Sequence, residues 1–184
     1  MPTRQELLAA ANRKVPDVIA PDLSILFCGI NPGLYTAWAG YHFARPGNRF
    51  WPALHDGGFT PRRFDPSENT ELLSLGYGIT NMVRRATVRA DELTAEELKR
   101  GGRTLRRKLT RYRPKMLAVL GVTSYRIAFG KPKAAVGPQK ETFGQTRVWV
   151  LPNPSGLNAH YTAPRLAEVF GELRMAVETL EDGE

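Results

Sequence analysis

Two short apolar runs, each broken by Asn-Pro, constrain this chain more than any other feature. Residues 23–30 (Leu-Ser-Ile-Leu-Phe-Cys-Gly-Ile) are apolar at nearly every position and run into Asn31, Pro32 and Gly33. Such a run suits a strand covered on both faces in a parallel sheet better than one wetted on alternate residues. It must end at Asn31, because Pro32 has no N–H to donate and pushes its predecessor towards extended or turn geometry. Gly33 lets the backbone turn sharply or come close to a ligand. Ligands of open parallel sheets sit beyond the carboxyl ends of the strands, which makes Asn31 a candidate contact. Asn before Pro is also an ordinary turn residue, and the first run alone favours that reading. The second run, 147–151, has the same design and, after Pro152, reaches Asn153, Pro154, Ser155 and Gly156. Two strands ending in one kind of turn bring both loops to a single edge of the sheet, and a site is expected there.

Between these runs, strands and helices alternate. Residues 77–83 and 116–120 read as two further strands, the latter set between Pro114 and Gly121. Helical patterns cover 3–13, 50–54, 67–75, 94–112, 123–129 and 163–180, and residues 130–144, with three lysines, read as a loop. The fold class predicted is α/β, three-layered, with a mainly parallel central sheet of about four strands flanked by helices. Thr94 and Glu97 form a capping box, which leaves Asp91 outside the helix that follows. Gly101 and Gly102 imply either close approach to a neighbour or a break in that helix. The 184 residues, 42% hydrophobic, suit one domain spanning 1–184. Within it, 1–20 is expected to be an N-terminal helical extension and 178–184 an acidic, frayed tail.

Charge narrows the function classes. The net charge is +8, and nine basic residues fall between positions 99 and 115 with no acid among them. That balance favours a polyanionic partner, although part of the run reads equally as a solvated helix face. A single cysteine, Cys28, lies inside the first strand, and His42, His55 and His160 are scattered. No metal site or cofactor is therefore expected. There is no apolar run long enough to span a membrane and no secretory h-region, so the expectation is a soluble, cytoplasmic, monomeric protein. Residues 35–51 carry six of the 17 aromatic residues (Tyr35, Trp38, Tyr41, Phe43, Phe50, Trp51), a loop suited to stacking on a flat ring. Phe50 and Trp51 are assigned instead to the packed stripe of a helix.

Three segments together resemble the mismatch-specific uracil-DNA glycosylases, bacterial relatives of thymine-DNA glycosylase: Gly-Ile-Asn-Pro-Gly at 29–33, Phe-Ala-Arg-Pro-Gly-Asn-Arg-Phe-Trp at 43–51 and Asn-Pro-Ser-Gly-Leu at 153–157. The likeness runs from about residue 23 to about residue 173. It implies a uracil-DNA glycosylase-like fold and a monofunctional enzyme that flips uracil mispaired with guanine out of duplex DNA and hydrolyses its bond to the sugar. It assigns Asn31 to the attacking water and Phe43 to stacking on the flipped base. Ile30 and Asn153 join Phe43 as base-binding residues, with backbone groups near Ile30 and Asn31 reading the polar edge. Gly156, Leu157 and Asn158 form a DNA wedge. Two departures stand out. Ala159 occupies a place where the family often has arginine, and Asn81 one where it often has lysine. Asparagine cannot take a proton from water, so either stabilisation of the leaving group suffices or a carboxylate helps from a loop at the carboxyl edge. Asp91 is best placed for that role, its other reading being a solvated loop aspartate. Two rival readings remain: a non-catalytic nucleic-acid-binding module, and an N-glycosidase acting on free nucleosides.

Overall fold

The computed structural model describes residues 1–183. Its centre is a five-stranded sheet in the order β2-β1-β3-β5-β4, formed by β1 (Ile25–Gly29), β2 (Tyr77–Asn81), β3 (Met116–Leu120), β4 (Gly137–Phe143) and β5 (Thr146–Leu151). The first Asn-Pro strand, β1, lies between β2 and β3, parallel to both, and β5 runs parallel to β3 on its other side. This explains the unbroken apolar runs. β1 and β3 are buried at all five positions, since a central parallel strand has helices over both faces.

The sheet has one strand more than the four expected. β4 pairs antiparallel with β5 across an irregular register between Pro138 and Thr142, within the stretch that reads as a loop. Its side chains alternate between more and less exposed positions, and it lies at the sheet edge, where Pro138 and the charged Lys140 and Glu141 are tolerated.

Six α-helices among the described residues complete the frame: α1 (Arg4–Ala9), α2 (Leu34–Ala39), α3 (Phe50–Asp56), α4 (Ala95–Tyr112), α5 (Val122–Phe129) and α6 (Ala163–Asp182). Segment Pro66–Leu75 is a 3₁₀ helix. Successive residues of β1 point to opposite faces, so the domain has two cores. Ile25 and Phe27 pack with Phe50, Leu54, Leu166 and Phe170 from α3 and α6. Leu26 and Cys28 pack with Leu98, Leu105, Leu109 and Tyr125 from α4 and α5. Each fully buried Phe or Leu stabilises the fold by roughly 1.5–3 kcal/mol. Burial pushes the Cys28 thiol up to about 12, as befits a residue acting as a small hydrophobe.

The acidic tail, expected to fray from 178, is helical through Asp182, and Glu184 lies outside the described residues. The helix of the N-terminal extension stops at Ala9 rather than near 13. Beyond it the extension docks on the sheet: Val18 forms an antiparallel bridge with Ile79. Asp17 accepts from Lys108 at 2.6 Å and from Thr80 at 2.9 Å. α4 runs unbroken through Gly101 and Gly102. A Cβ on Gly101 would stand 2.3 Å from the Met82 carbonyl and one on Gly102 2.8 Å from that of Ala128, so close packing is what requires glycine here.

Candidate active site

At the carboxyl edge of the sheet a cavity of about 480 Å³ opens, within the range of small-molecule sites. Gly29 ending β1, Asn31 just after it, Asn81 ending β2, Leu120 ending β3 and Asn153 after β5 all line it, together with Phe43, Asp91 and Leu157. The two Asn-Pro turns thus meet at one site.

Asn31 is held by the loop that leaves β2. Its Nδ2 donates to the Arg85 carbonyl at 2.8 Å and to Thr87 Oγ1 at 2.7 Å. A carbonyl can only accept, so the nitrogen must be the end facing Arg85, and Oδ1 is left as an acceptor with no hydrogen-bond partner among the described residues. The same loop lies along the turn through main-chain bonds from Met82 N to Gly29 O, Val83 N to Ile30 O and Thr87 N to Pro32 O. The Ile30 carbonyl is therefore engaged, whereas the Asn31 N–H and C=O make no main-chain hydrogen bond among the described residues. Arg85 itself is fixed by Glu97 through bonds of 2.7 and 3.1 Å. The Arg85 guanidinium, helped by the Thr94 N–H, draws the Glu97 carboxyl down to about 2. The capping-box glutamate of α4 is thereby tied to the residue whose carbonyl orients Asn31.

Phe43 forms one wall. Its backbone has φ +55°, a conformation rare for a bulky residue and costly unless the surroundings enforce it. Its neighbour supplies that constraint. His42 is buried, its ring Nε2 donates to the Pro16 carbonyl at 2.7 Å, and its own carbonyl accepts from Trp51 Nε1 at 3.0 Å. One face of the Phe43 ring stacks on Phe50 at 4.2 Å, leaving the other towards the cavity. Gly29 permits this approach, because a Cβ there would stand 3.2 Å from Phe43 Cζ and 2.6 Å from Asn81 Oδ1.

Asn81 is a lining residue to which the sequence reading gives no role. The signal was present: like the other two strands, β2 ends its apolar run in a side-chain amide. Arg45 and Val88 also line the cavity, and Arg49 lines a smaller neighbouring pocket that shares Arg45 and Leu157 with it. Asp91 does reach the cavity, in a short turn at Ala90–Glu92, yet its carboxylate is exposed and gripped by Arg89 through bonds of 3.2 and 2.6 Å.

The second turn is built differently. Asn153 Oδ1 accepts from Ser155 N at 3.0 Å and its carbonyl accepts from Asn158 Nδ2 at 3.0 Å, so the turn is closed by its own side chains. Gly156 and Leu157 project beyond it, and Leu157 is 77% exposed at the cavity mouth.

The basic run of 99–115 lies on α4 and beyond, and much of it is engaged within the protein. Lys108 is paired with Asp17, Arg106 lies over the Phe129 and Phe143 rings, Arg103 faces Glu96, and Arg113 pairs with Asp22. No helix among the described residues is long and apolar enough to cross a membrane.

A parallel sheet whose carboxyl edge opens into a cavity lined by amides and an aromatic ring defines a ligand-binding α/β protein. The chain belongs to the Uracil DNA glycosylase superfamily, which residues 16–174 match. In fold it is similar to the solution NMR structure of a "putative Uracil DNA glycosylase" from Methanosarcina acetivorans, at 17% identity and a TM-score of 0.58, over 88% of this chain and 98% of that one. Membership implies a hydrolase of the N-glycosidic bond, with DNA as its partner.

Proposed function

We propose that the protein is a monofunctional, mismatch-specific uracil-DNA glycosylase of the thymine-DNA glycosylase-like branch. It hydrolyses the N-glycosidic bond of uracil, and of related damaged pyrimidines, opposite guanine in duplex DNA. It acts as an intracellular monomer that initiates base excision repair. The observation that carries this reading is the Asn31 amide. With Nδ2 committed to Arg85 and Thr87, Oδ1 is left as the acceptor of a residue that lines the same cavity as Phe43.

In this reading the target nucleotide rotates out of the stack, which costs least at a mismatch. The base slides against Phe43, and its polar edge meets Asn81, the Nδ2 of Asn153 and the open main-chain groups of Asn31. Water accepted by Asn31 Oδ1 attacks C1′ as the C1′–N1 bond breaks. The bonding pair leaves with uracil as its anion, and the water's proton passes to solvent or to the departing base. A neutral amide takes no proton, so the rate rests on positioning and on stabilising the leaving base. Gly156, Leu157 and Asn158 enter the space the base vacates. Arg45 brings positive charge to the same face.

The test is a labelled duplex with uracil opposite guanine, incubated with protein and then treated with alkali. Strand breaks at the uracil are expected, undiminished in chelator. Absence of breaks, or breaks that chelator abolishes and a divalent ion restores, overturns the reading. Salt separates the two rivals: duplex recognition weakens steeply as salt rises, whereas turnover of a free nucleoside does not.

A further inference from the structure

The exposed loop that carries Leu157 is fastened from outside by one side chain. Arg49, the residue just before α3, donates from Nη1 to the Tyr161 carbonyl and from Nη2 to the carbonyls of Gly156 at 2.8 Å and Asn158 at 3.2 Å. Its main-chain N–H adds a bond to the Pro154 carbonyl at 2.8 Å. Its guanidinium is spent on main-chain acceptors spread over the loop. The anchor is rigid, because Phe50 and Trp51, next in sequence, are buried in the core. The two loops also touch directly: a Cβ on Gly156 would stand 2.5 Å from the Gly47 carbonyl.

We infer that Arg49 is a positioning residue that sets the Leu157 loop in its projecting shape before DNA arrives. The wedge role of Leu157 is taken from the function proposed above. A planar fork can reach three carbonyls in different directions at once, and a lysine ammonium on its flexible stem does not reproduce that geometry. Without the fork, the loop keeps its internal Asn153, Ser155 and Asn158 turns but loses its fixed attachment to the frame. The wedge must then be ordered during binding, and the loss falls on duplex cleavage.

Arg49→Lys keeps the charge and removes the fork, and Arg49→Gln is the second variant. In the DNA-free protein, exchange of the amides of 155–160 should accelerate by about tenfold or more in both, while β1 and β3 amides keep their protection. In single-turnover cleavage of a uracil–guanine duplex, Arg49→Lys should slow the reaction much as Leu157→Ala does. The double variant should be slower than the slower single by no more than about twofold, because coupled residues are not additive. Unchanged exchange of the loop amides overturns the inference, as do losses that multiply in the double variant or a general loss of sheet protection. If the wild-type protein leaves uracil duplexes uncut, the proposed function fails, and the exchange measurement alone decides whether Arg49 holds the loop.

Discussion

The two Asn-Pro turns look like copies in the sequence and are opposites in the structure. At the first, the asparagine side chain is held by another element: Arg85 and Thr87, from the loop after β2, take its nitrogen and leave its oxygen to the cavity. At the second, the asparagine oxygen is consumed by its own turn, at Ser155 N, and what the turn presents is an exposed leucine. The first turn is a floor with a directed polar atom, and the second is a projection with a shaped apolar tip. A strand ending in Asn-Pro therefore fixes where the chain turns, while the partners of the asparagine decide what the turn offers. Under the proposed function, chemistry falls to the first turn and duplex recognition to the second.

Removing the floor's directed atom should have the largest effect. Asn31→Ala is expected to slow single-turnover cleavage by ~10²-fold or more, the scale of a positioned catalytic group, with similar loss on duplex and single strand and with duplex binding retained. A loss confined to duplex would move Asn31 to the recognition side and collapse the comparison.

Leu157→Ala should come next, with a different signature. It should slow duplex cleavage by roughly 10- to 10²-fold, since the few kcal/mol spent on unstacking lose their compensation, and single-stranded substrate should suffer far less. Equal losses on both substrates would return Leu157 to ordinary packing.

How much of this was legible depends on whether a feature lies within one segment or between two. β1 and β5 and their turns could be read directly, because an all-apolar run stopped by Asn-Pro permits few structures. β4 could not, since an edge strand carrying Pro138, Lys140 and Glu141 has the composition of a loop. α2 went unseen within an aromatic stretch that has no clear period. The different roles of the two turns were implied by the family resemblance, but what orients Asn31, a loop 54 residues away at Arg85, has no local signature. The basic run on α4 was legible as charge, while its engagement with Asp17, Glu96, Asp22 and the rings of Phe129 and Phe143 required the fold.

Acid should distinguish the two turns as well. His42 braces Phe43 on the floor side, and burial holds its imidazole below the ordinary 6.5, reinforced by Lys108 and opposed by the Pro16 hydrogen bond and Asp17. The unfolded chain therefore takes up a proton there before the folded one does. The stability this provides is complete above pH 6.5 and is lost as pH falls through the lower folded value. Denaturation midpoints should fall from pH 7.5 to 5.5 in the wild type and fall less in His42→Gln, which keeps a donor for Pro16. An equal decline in both would mean that His42 does not report on the floor.

Asp91 should give the smallest effect, and it tests whether the floor has a second chemical group. The residue is at the cavity, where a carboxylate could favour the sugar cation. Both of its oxygens, however, are bound by Arg89, and the pair is exposed to water, which screens what charge remains. Asp91→Asn keeps the shape, removes the charge and releases the Arg89 guanidinium towards the DNA face. Single-turnover cleavage is then expected to slow by less than about tenfold, well short of the ~10²-fold that marks a positioned acid–base group. Binding to an uncleavable duplex should stay the same or tighten, because a negative charge near phosphates has gone. A slowing of ~10²-fold or more, with folding and binding intact, would mean that the Arg89 pair opens in the bound state and that the carboxylate shares the water with Asn31. The first turn would then be only half of the catalytic floor, and the loop after β2, which already orients the Asn31 amide, would supply the other half.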